Sequence, residues 1–232
     1  MKVARAWLKV AAALAAFALL GTAVIGVAHT PWGRPLLKLP LLSALAKRAG
    51  CPVGKIEAAA FEKVRTQRLQ GDVGARQAKS HPALGFVLGQ TERQDVQAWA
   101  QREHARCQAG FVASVLECEN VTSPSAPKIA RLRLQFDEQA RLVAVDLFRN
   151  EGEAELVRRF EQLARELDRG VGPATAAIGT PALAFVKSSP LQTVMRTYGY
   201  RDYVARVTLM NFGKRGLRLR ETYQWLAPPR PA

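Results

Sequence analysis

The chain has 232 residues, and its 34 lysines and arginines exceed its 19 acidic residues to give a net charge of +15. This length allows one sizeable domain or two small domains with real cores behind an N-terminal apolar segment. The charge favours an anionic neighbour such as membrane head groups, cell-wall polymer or lipopolysaccharide. The net charge supports this class of partner but does not identify one member of it.

The N-terminal segment predicts the compartment. An uncharged, alanine-rich run extends from Val10 to Ala28 and follows three cations, Lys2, Arg5 and Lys9. About 20 apolar residues span a bilayer, and cations before such a run place the N-terminus in the cytoplasm. Residues 1–30 therefore predict a single transmembrane helix in the inner membrane, with an extracytoplasmic body. The alternative is a signal peptide cleaved near Ala28, which would give a secreted protein.

Residues 31–84 predict a juxtamembrane helix and a linker. The helix is indicated by leucines at helical spacing, at positions 37, 41, 42 and 45. Its apolar face either lies on the bilayer surface or covers the sheet of the following domain. Between residues 66 and 82 the composition becomes polar and rich in glycine, which is typical of a linker or a long loop.

Residues 85–149 predict a first α+β unit. Thr91 and Gln94 have the spacing of a capping box, and Val96, Trp99 and Ala100 give the apolar face of the helix that follows. Strands are predicted over 111–118, 128–136 and 142–148. The second strand is the clearest, because apolar residues alternate with Arg131, Arg133 and Gln135.

Residues 150–227 predict a second α+β unit, and residues 228–232 a proline-rich tail. The second helix carries an apolar stripe of Leu156, Phe160, Leu163 and Leu167. Strands are predicted near 191–200, 202–211 and 217–225. The predicted fold class is therefore α+β, with an N-terminal transmembrane helix followed by two helix-plus-antiparallel-sheet units that either stand apart or share one sheet.

Three cysteines, at positions 51, 107 and 118, lie in a compartment where disulfides persist. Cys107 follows a predicted helix and Cys118 ends the next predicted strand, so the return of the chain favours a Cys107–Cys118 disulfide. Cys51 would then be free or form an intermolecular bond. Two buried thiols are the simplest alternative. His104 and Cys107 have the spacing of half a zinc site but lack the remaining ligands.

Recognisable catalytic motifs are absent from the sequence. It contains no Gly-x-Ser-x-Gly, His-Glu-x-x-His or Ser-x-x-Lys motif and no glycine-rich phosphate loop. No pair of carboxylates is placed for acid–base chemistry. The sequence therefore predicts no catalytic residue, no metal and no cofactor. An enzyme that uses Cys107 and His104 is the weakest alternative, and it requires a free thiol at Cys107.

The C-terminal strands predict a binding face. Alternation places Arg218 and Arg220 together on the last strand, Arg206 on the polar face of the strand before it, and Arg196 with Tyr198 and Tyr200. If these faces align, four arginines and two tyrosines line one sheet surface. Such a surface suits an anionic or sugar-containing ligand. The simpler alternative is an ordinary solvated face.

Several short motifs resemble known envelope families. The segment Gly89–Val96 is similar to the opening of the SmpA/OmlA family of BamE-like lipoproteins and of the related β-lactamase-inhibitor-protein fold. Leu132–Phe136 followed by Asp137, and Gly172-Pro173 followed by Thr175, resemble later motifs of that family. The chain departs from the family because no lipobox cysteine follows the apolar segment. Residues 30–56 resemble the membrane-anchored start of AsmA/TamB-type proteins. Both resemblances imply a Gram-negative envelope.

Together these features predict a non-catalytic binding or scaffold module on the extracytoplasmic side, tethered to the membrane by the N-terminal helix. Its expected partner is an envelope protein or an anionic polymer or lipid. Nucleic acid and a small-molecule substrate are not expected. The alternative is a structural subunit of a larger membrane assembly, which predicts an exposed apolar patch near residues 36–45.

Overall fold

The structure is a computed structural model that describes residues 58–110, 112–122 and 129–227. All of them belong to one unit, Ile56–Ala232. The helices are α1 (Ala58–Leu69), α2 (Arg93–Arg102), α3 (Glu153–Gly170) and α4 (Leu183–Val186). The strands are β1 (Pro82–Ala83), β2 (Phe86–Val87), β3 (Arg106–Ala109), β4 (Val115–Val121), β5 (Ile129–Phe136), β6 (Leu142–Arg149), β7 (Ala176–Ile178), β8 (Thr193–Gly199), β9 (Tyr203–Asn211) and β10 (Leu217–Trp225).

Eight of the strands form one antiparallel sheet with the order β3–β4–β5–β6–β10–β9–β8–β7. Its two halves join where β10 pairs with β6, for example Leu219 with Arg149 and Tyr223 with Val145. If the two halves were separate sheets, β6 and β10 would be edge strands with unpaired backbone N–H and C=O groups. Their pairing gives these groups hydrogen-bond partners.

The predicted fold class, a transmembrane helix followed by two helix-plus-sheet units, is therefore corrected. The described residues form one eight-stranded sheet, and within them no helix is both long and apolar enough to cross a membrane. The predicted N-terminal membrane helix, the juxtamembrane helix, Cys51 and the tail at 228–232 lie outside the described residues.

Helices α2 and α3 contribute to the core on one side of the sheet. The predicted stripe of α3 is confirmed, because Leu156, Phe160, Leu163 and Leu167 are all buried and α3 packs on β9 and β10. The apolar face of α2 is also confirmed, with Val96, Trp99 and Ala100 buried. The capping box lies one residue later than predicted: Glu92 is the N-cap, and its N–H donates to Asp95 Oδ2 at 3.0 Å.

The other face of the sheet, called here the open face, carries the alternate residues of each strand. In β10, Leu217, Leu219, Glu221 and Tyr223 face the helices, whereas Arg218, Arg220, Thr222 and Gln224 lie on the open face. Helix α1 lies beside this face, because Arg65 donates to Gln224 Oε1 at 2.9 Å and to the Trp225 carbonyl at 3.0 Å. The sequence did not predict α1, since its apolar residues form no clear stripe.

Asp202, in the turn between β8 and β9, connects the segment before β1 to the sheet through hydrogen bonds. Its carboxylate accepts hydrogen bonds from the Ala78 N–H at 2.9 Å and from His81 Nε2 at 2.9 Å. Burial alone would raise the pKa of Asp202, but these two hydrogen bonds outweigh burial and lower the pKa below its ordinary value. The charged carboxylate is therefore the form that the fold stabilises.

Replacing Asp202 by asparagine is expected to lower the free energy of unfolding by about 1–2 kcal/mol at neutral pH. The pKa of Asp202 is lower in the folded than in the unfolded chain, so its contribution is complete above the unfolded value of about 4 and is lost as the pH falls through the folded value. Urea unfolding across this range measures the effect. The matched control is Glu138→Gln at an exposed turn position; equal pH profiles for both variants would contradict the prediction.

Candidate binding groove on the open face

A groove of about 800 Å³ lies between α1 and the open face of the sheet. It is called here the basic groove. Six arginines line it, against two aspartates, Asp72 and Asp146; the arginines are Arg65, Arg68, Arg133, Arg206, Arg218 and Arg220. Four of these arginines lie on strands of the sheet and two on α1. Ion pairs with Glu62, Glu117, Asp72 and Asp146 compensate four of the six, and Arg68 and Arg218 leave the groove with an excess of positive charge.

Arg220 has a fixed guanidinium near the centre of the groove. Its Nε and Nη2 donate to the two carboxylate oxygens of Asp146 at 3.0 and 2.8 Å, across the β6–β10 pairing. The guanidinium also lies 5.2 Å from the ring centroid of Phe148. The hydrogen bonds that Arg220 donates to Asp146 raise the pKa of Arg220, so it stays charged.

Arg218 and Arg206 retain more capacity to bind an anion. Arg218 donates to the neutral amide oxygen of Asn150 at 2.7 Å, so this contact leaves its charge uncompensated. Arg206 contacts Asp72 at 2.7 Å through Nη2. Its Nε is buried and has no hydrogen-bond partner among the described residues. A ligand oxygen in the groove would satisfy this donor.

The groove also has an apolar part. Phe148, Met195, Val204 and Met210 lie along its floor. At the end formed by the β9–β10 connection, Phe212 is 41% exposed, and Leu191, whose N–H bonds the carbonyl of the neighbouring Asn211, is 67% exposed. Arginine, methionine and aromatic residues are enriched at protein interfaces, and methionine adapts to irregular partners.

The structure separates the predicted binding residues into two groups. Arg206, Arg218 and Arg220 share the open face, as predicted, whereas Arg196 pairs with the buried Val207 and lies on the helix side. Tyr198 and Tyr200 are buried there, and their hydroxyls donate to the carbonyls of Ala164 at 3.0 Å and Pro173 at 2.9 Å. Burial, reinforced by Asp168, raises the pKa of Tyr198, so its hydroxyl stays protonated.

The sequence analysis missed several groove residues. Arg133 was identified only as part of an alternating strand, and it bonds Glu117 at 2.8 Å on the open face. Its alternation with apolar residues was the available signal. Its place beside Arg220 depends on the β6–β10 pairing, which no local pattern predicts. Arg65 and Arg68 belong to the unpredicted helix α1.

The predicted disulfide is confirmed. Cys107 and Cys118 are paired across β3 and β4 with their Cα atoms 4.1 Å apart, and their sulfurs are bonded. Cys107 therefore has no thiol to serve as a nucleophile beside His104 or as a zinc ligand. No cluster of metal-ligating side chains occurs in 58–110, 112–122 and 129–227.

Replacing both cysteines by alanine is expected to lower the free energy of unfolding by about 2–3 kcal/mol, because the bond closes a short loop in the unfolded chain and ties the edge strand β3 to the sheet. Urea unfolding of the oxidised protein and of the double variant measures the difference. A reductant should destabilise only the protein that has both cysteines. Equal stability of the two proteins would mean that the disulfide does not stabilise the attachment of β3 to the sheet.

Comparisons with protein-family models, with curated proteins and with solved structures find no match to this chain. The resemblance to BamE-like and AsmA/TamB-type proteins therefore stays a prediction.

Proposed function

We propose that this protein is a non-catalytic, exported binding module of the cell envelope, whose basic groove holds an acidic, partly apolar segment of a partner protein. The observation that carries the proposal is the lining of the groove. Six arginines surround a floor of Phe148, Met195, Val204 and Met210. Such a lining attracts acidic side chains and also removes apolar side chains from water.

A protein segment fits this groove better than an anionic polysaccharide. Sugars stack on exposed aromatic faces, whereas the guanidinium of Arg220 lies over the ring of Phe148. Phe212 and Leu191 add exposed apolar surface at one end of the groove, which a polysaccharide has no means to cover. The arginines select for acidic residues in the segment, and the apolar floor selects for hydrophobic residues between them.

Two observations support a place outside the cytoplasm. The disulfide between Cys107 and Cys118 is typical of an oxidising compartment. The apolar run from Val10 to Ala28, with cations before it, is typical of a segment that directs export. The envelope is therefore where we expect the partner.

The double charge reversal Arg218→Glu with Arg220→Glu tests the proposal. The probe is a fluorescent peptide of alternating glutamate and phenylalanine, and its binding to the full chain is measured by anisotropy. We expect the reversal to weaken binding about a hundredfold, because it replaces attraction with like-charge repulsion inside the groove. The matched control, Arg158→Glu with Arg165→Glu, makes the same charge change on the exposed side of α3 and should bind as the natural chain does.

Two results would overturn the proposal. Equal loss of binding in the groove and control variants would mean that net charge, rather than the groove, attracts the peptide. Tighter binding of polygalacturonate than of the peptide would identify an anionic polymer as the ligand. Circular dichroism checks the fold of each variant, and Arg218→Glu alone keeps the test valid if a glutamate beside Asp146 disturbs the sheet.

A further inference from the structure

A second cavity, of about 820 Å³, lies on the other side of the sheet. It is called here the helix-side cavity. Its walls are α2, α3 and the β1–β2 hairpin, and its floor is formed by Arg149, Glu221 and Tyr223. Nothing in the proposed function uses this cavity. It shares no lining residue with the basic groove.

The floor is a buried polar cluster. Arg149, Glu221 and Tyr223 are 4%, 1% and 3% exposed. Arg149 Nε donates to Glu221 Oε1 at 2.5 Å, and the Tyr223 hydroxyl donates to Glu221 Oε2 at 2.6 Å. Burial, reinforced by Glu221, raises the pKa of Tyr223, so the hydroxyl stays protonated. A buried ion pair is costly to desolvate and is seldom more stabilising than apolar side chains of similar volume. Its position at the floor of a cavity therefore points to a role in binding.

Part of the cavity wall is apolar, and the rest carries charged residues, namely Asp95, Arg102, Glu103, Arg159 and Glu166. Trp99 and Phe86 meet edge to face with their ring centroids 5.4 Å apart, and Leu163 and Leu167 of α3 also line the cavity. Leu84 at the tip of the β1–β2 hairpin has a positive φ of 53°, which costs a non-glycine residue free energy. It nevertheless lines the cavity and packs against the core.

We propose that the helix-side cavity binds a small, uncharged amphipathic molecule. Its flat apolar body contacts Trp99, Phe86 and Leu163, and a neutral hydrogen-bonding head, such as an amide, lies on the Arg149–Glu221–Tyr223 cluster. The head is neutral because the charges that line the cavity nearly balance, with three arginines against four carboxylates, and because Arg149 is already paired with Glu221. An amide both donates and accepts hydrogen bonds, which matches a floor that contains a cation, an anion and a hydroxyl. The lining mixes apolar and polar side chains, and a concave site with apolar walls and convergent polar groups is the usual form of a small-molecule site.

Three ligands that share one ring system test this selectivity. Naphthamide is neutral, naphthoate is an anion and naphthamidine is a cation, and ligand-observed NMR measures the affinity of each for the full chain. We expect naphthamide to bind at least about tenfold more tightly than either charged analogue, because burial of an unpaired charge is penalised. Preference for naphthoate or naphthamidine, or no binding of all three, would overturn the proposal.

Variants locate the site. Leu163→Trp fills the cavity and should abolish naphthamide binding, whereas Ile178→Trp, at a position that is 51% exposed and lines neither cavity, should leave it unchanged. Gln162→Trp, at an exposed position of the cavity lining, should weaken binding and keeps the test valid if Leu163→Trp does not fold. Unchanged affinity in Gln162→Trp and in a folded Leu163→Trp would place the ligand elsewhere. The reversal Arg218→Glu with Arg220→Glu should leave the affinity for naphthamide unchanged. The result of this test therefore does not depend on whether the basic groove binds the peptide.

Discussion

Replacing Glu221 by leucine is expected to lower the free energy of unfolding by about 3–5 kcal/mol. The substitution removes the carboxylate that both Arg149 and Tyr223 contact, in a part of the core where Glu221 is 1% exposed. The guanidinium of Arg149, which is 4% exposed, then stays buried without the carboxylate that Glu221 supplies. Urea unfolding monitored by circular dichroism measures the loss.

The double variant Arg149→Met with Glu221→Leu removes both charges of the ion pair. It tests whether the single variant loses stability because it leaves Arg149 buried without the Glu221 carboxylate. It is expected to recover most of the stability, because two apolar side chains then replace an ion pair that needed mutual compensation. The matched control replaces the exposed pair Arg158 and Glu155 on α3 by the same residues, and it should change stability by no more than about 1 kcal/mol. A double variant as unstable as the single variant would contradict this account.

Truncation of Phe160 to alanine is expected to lower the free energy of unfolding by about 3–5 kcal/mol. Phe160 is 1% exposed in the middle of the apolar stripe by which α3 packs on β9 and β10. The lost ring removes buried apolar surface and leaves a cavity that the helix and the sheet cannot fill. Urea unfolding gives the loss, and hydrogen exchange in β9 and β10 shows whether it spreads to the sheet.

Arg158→Ala is the control for this truncation, because it shortens a side chain that is 66% exposed on the same helix. It should change stability by about 0.5 kcal/mol or less. A Phe160→Ala variant no less stable than Arg158→Ala would mean that α3 does not bury its stripe against the sheet.

Elements with a strong local period could be predicted from the sequence. The stripe of α3 repeats at helical spacing, and β5 alternates apolar and polar residues, so the core face of each element follows from its own residues. The Cys107–Cys118 disulfide could be predicted for a similar reason, because a short chain reversal joins the two cysteines. Short elements with weak patterns could not: α1, the edge strand β3, and β7 were not predicted.

The candidate site could also be predicted only in part from the sequence. Alternation placed Arg206, Arg218 and Arg220 on the polar faces of their strands, because the side-chain period of a strand is fixed at two residues. The same rule places Arg196 and Tyr198 on the same face of β8, but it does not predict that α3 covers this face. Which of the two faces a helix covers is decided by packing between distant parts of the chain.

The sequence by itself therefore determined the type and the polar face of the strongly periodic elements, because those depend on the local geometry of the backbone. Only the tertiary structure decided that β6 pairs with β10, which unites the two halves and places Arg220 beside Asp146. It also decided that Arg149 and Glu221 meet in the core, since neither residue has a local pattern that marks it as buried. These contacts join residues more than seventy positions apart, and their pairing depends on the free energy of the whole sheet.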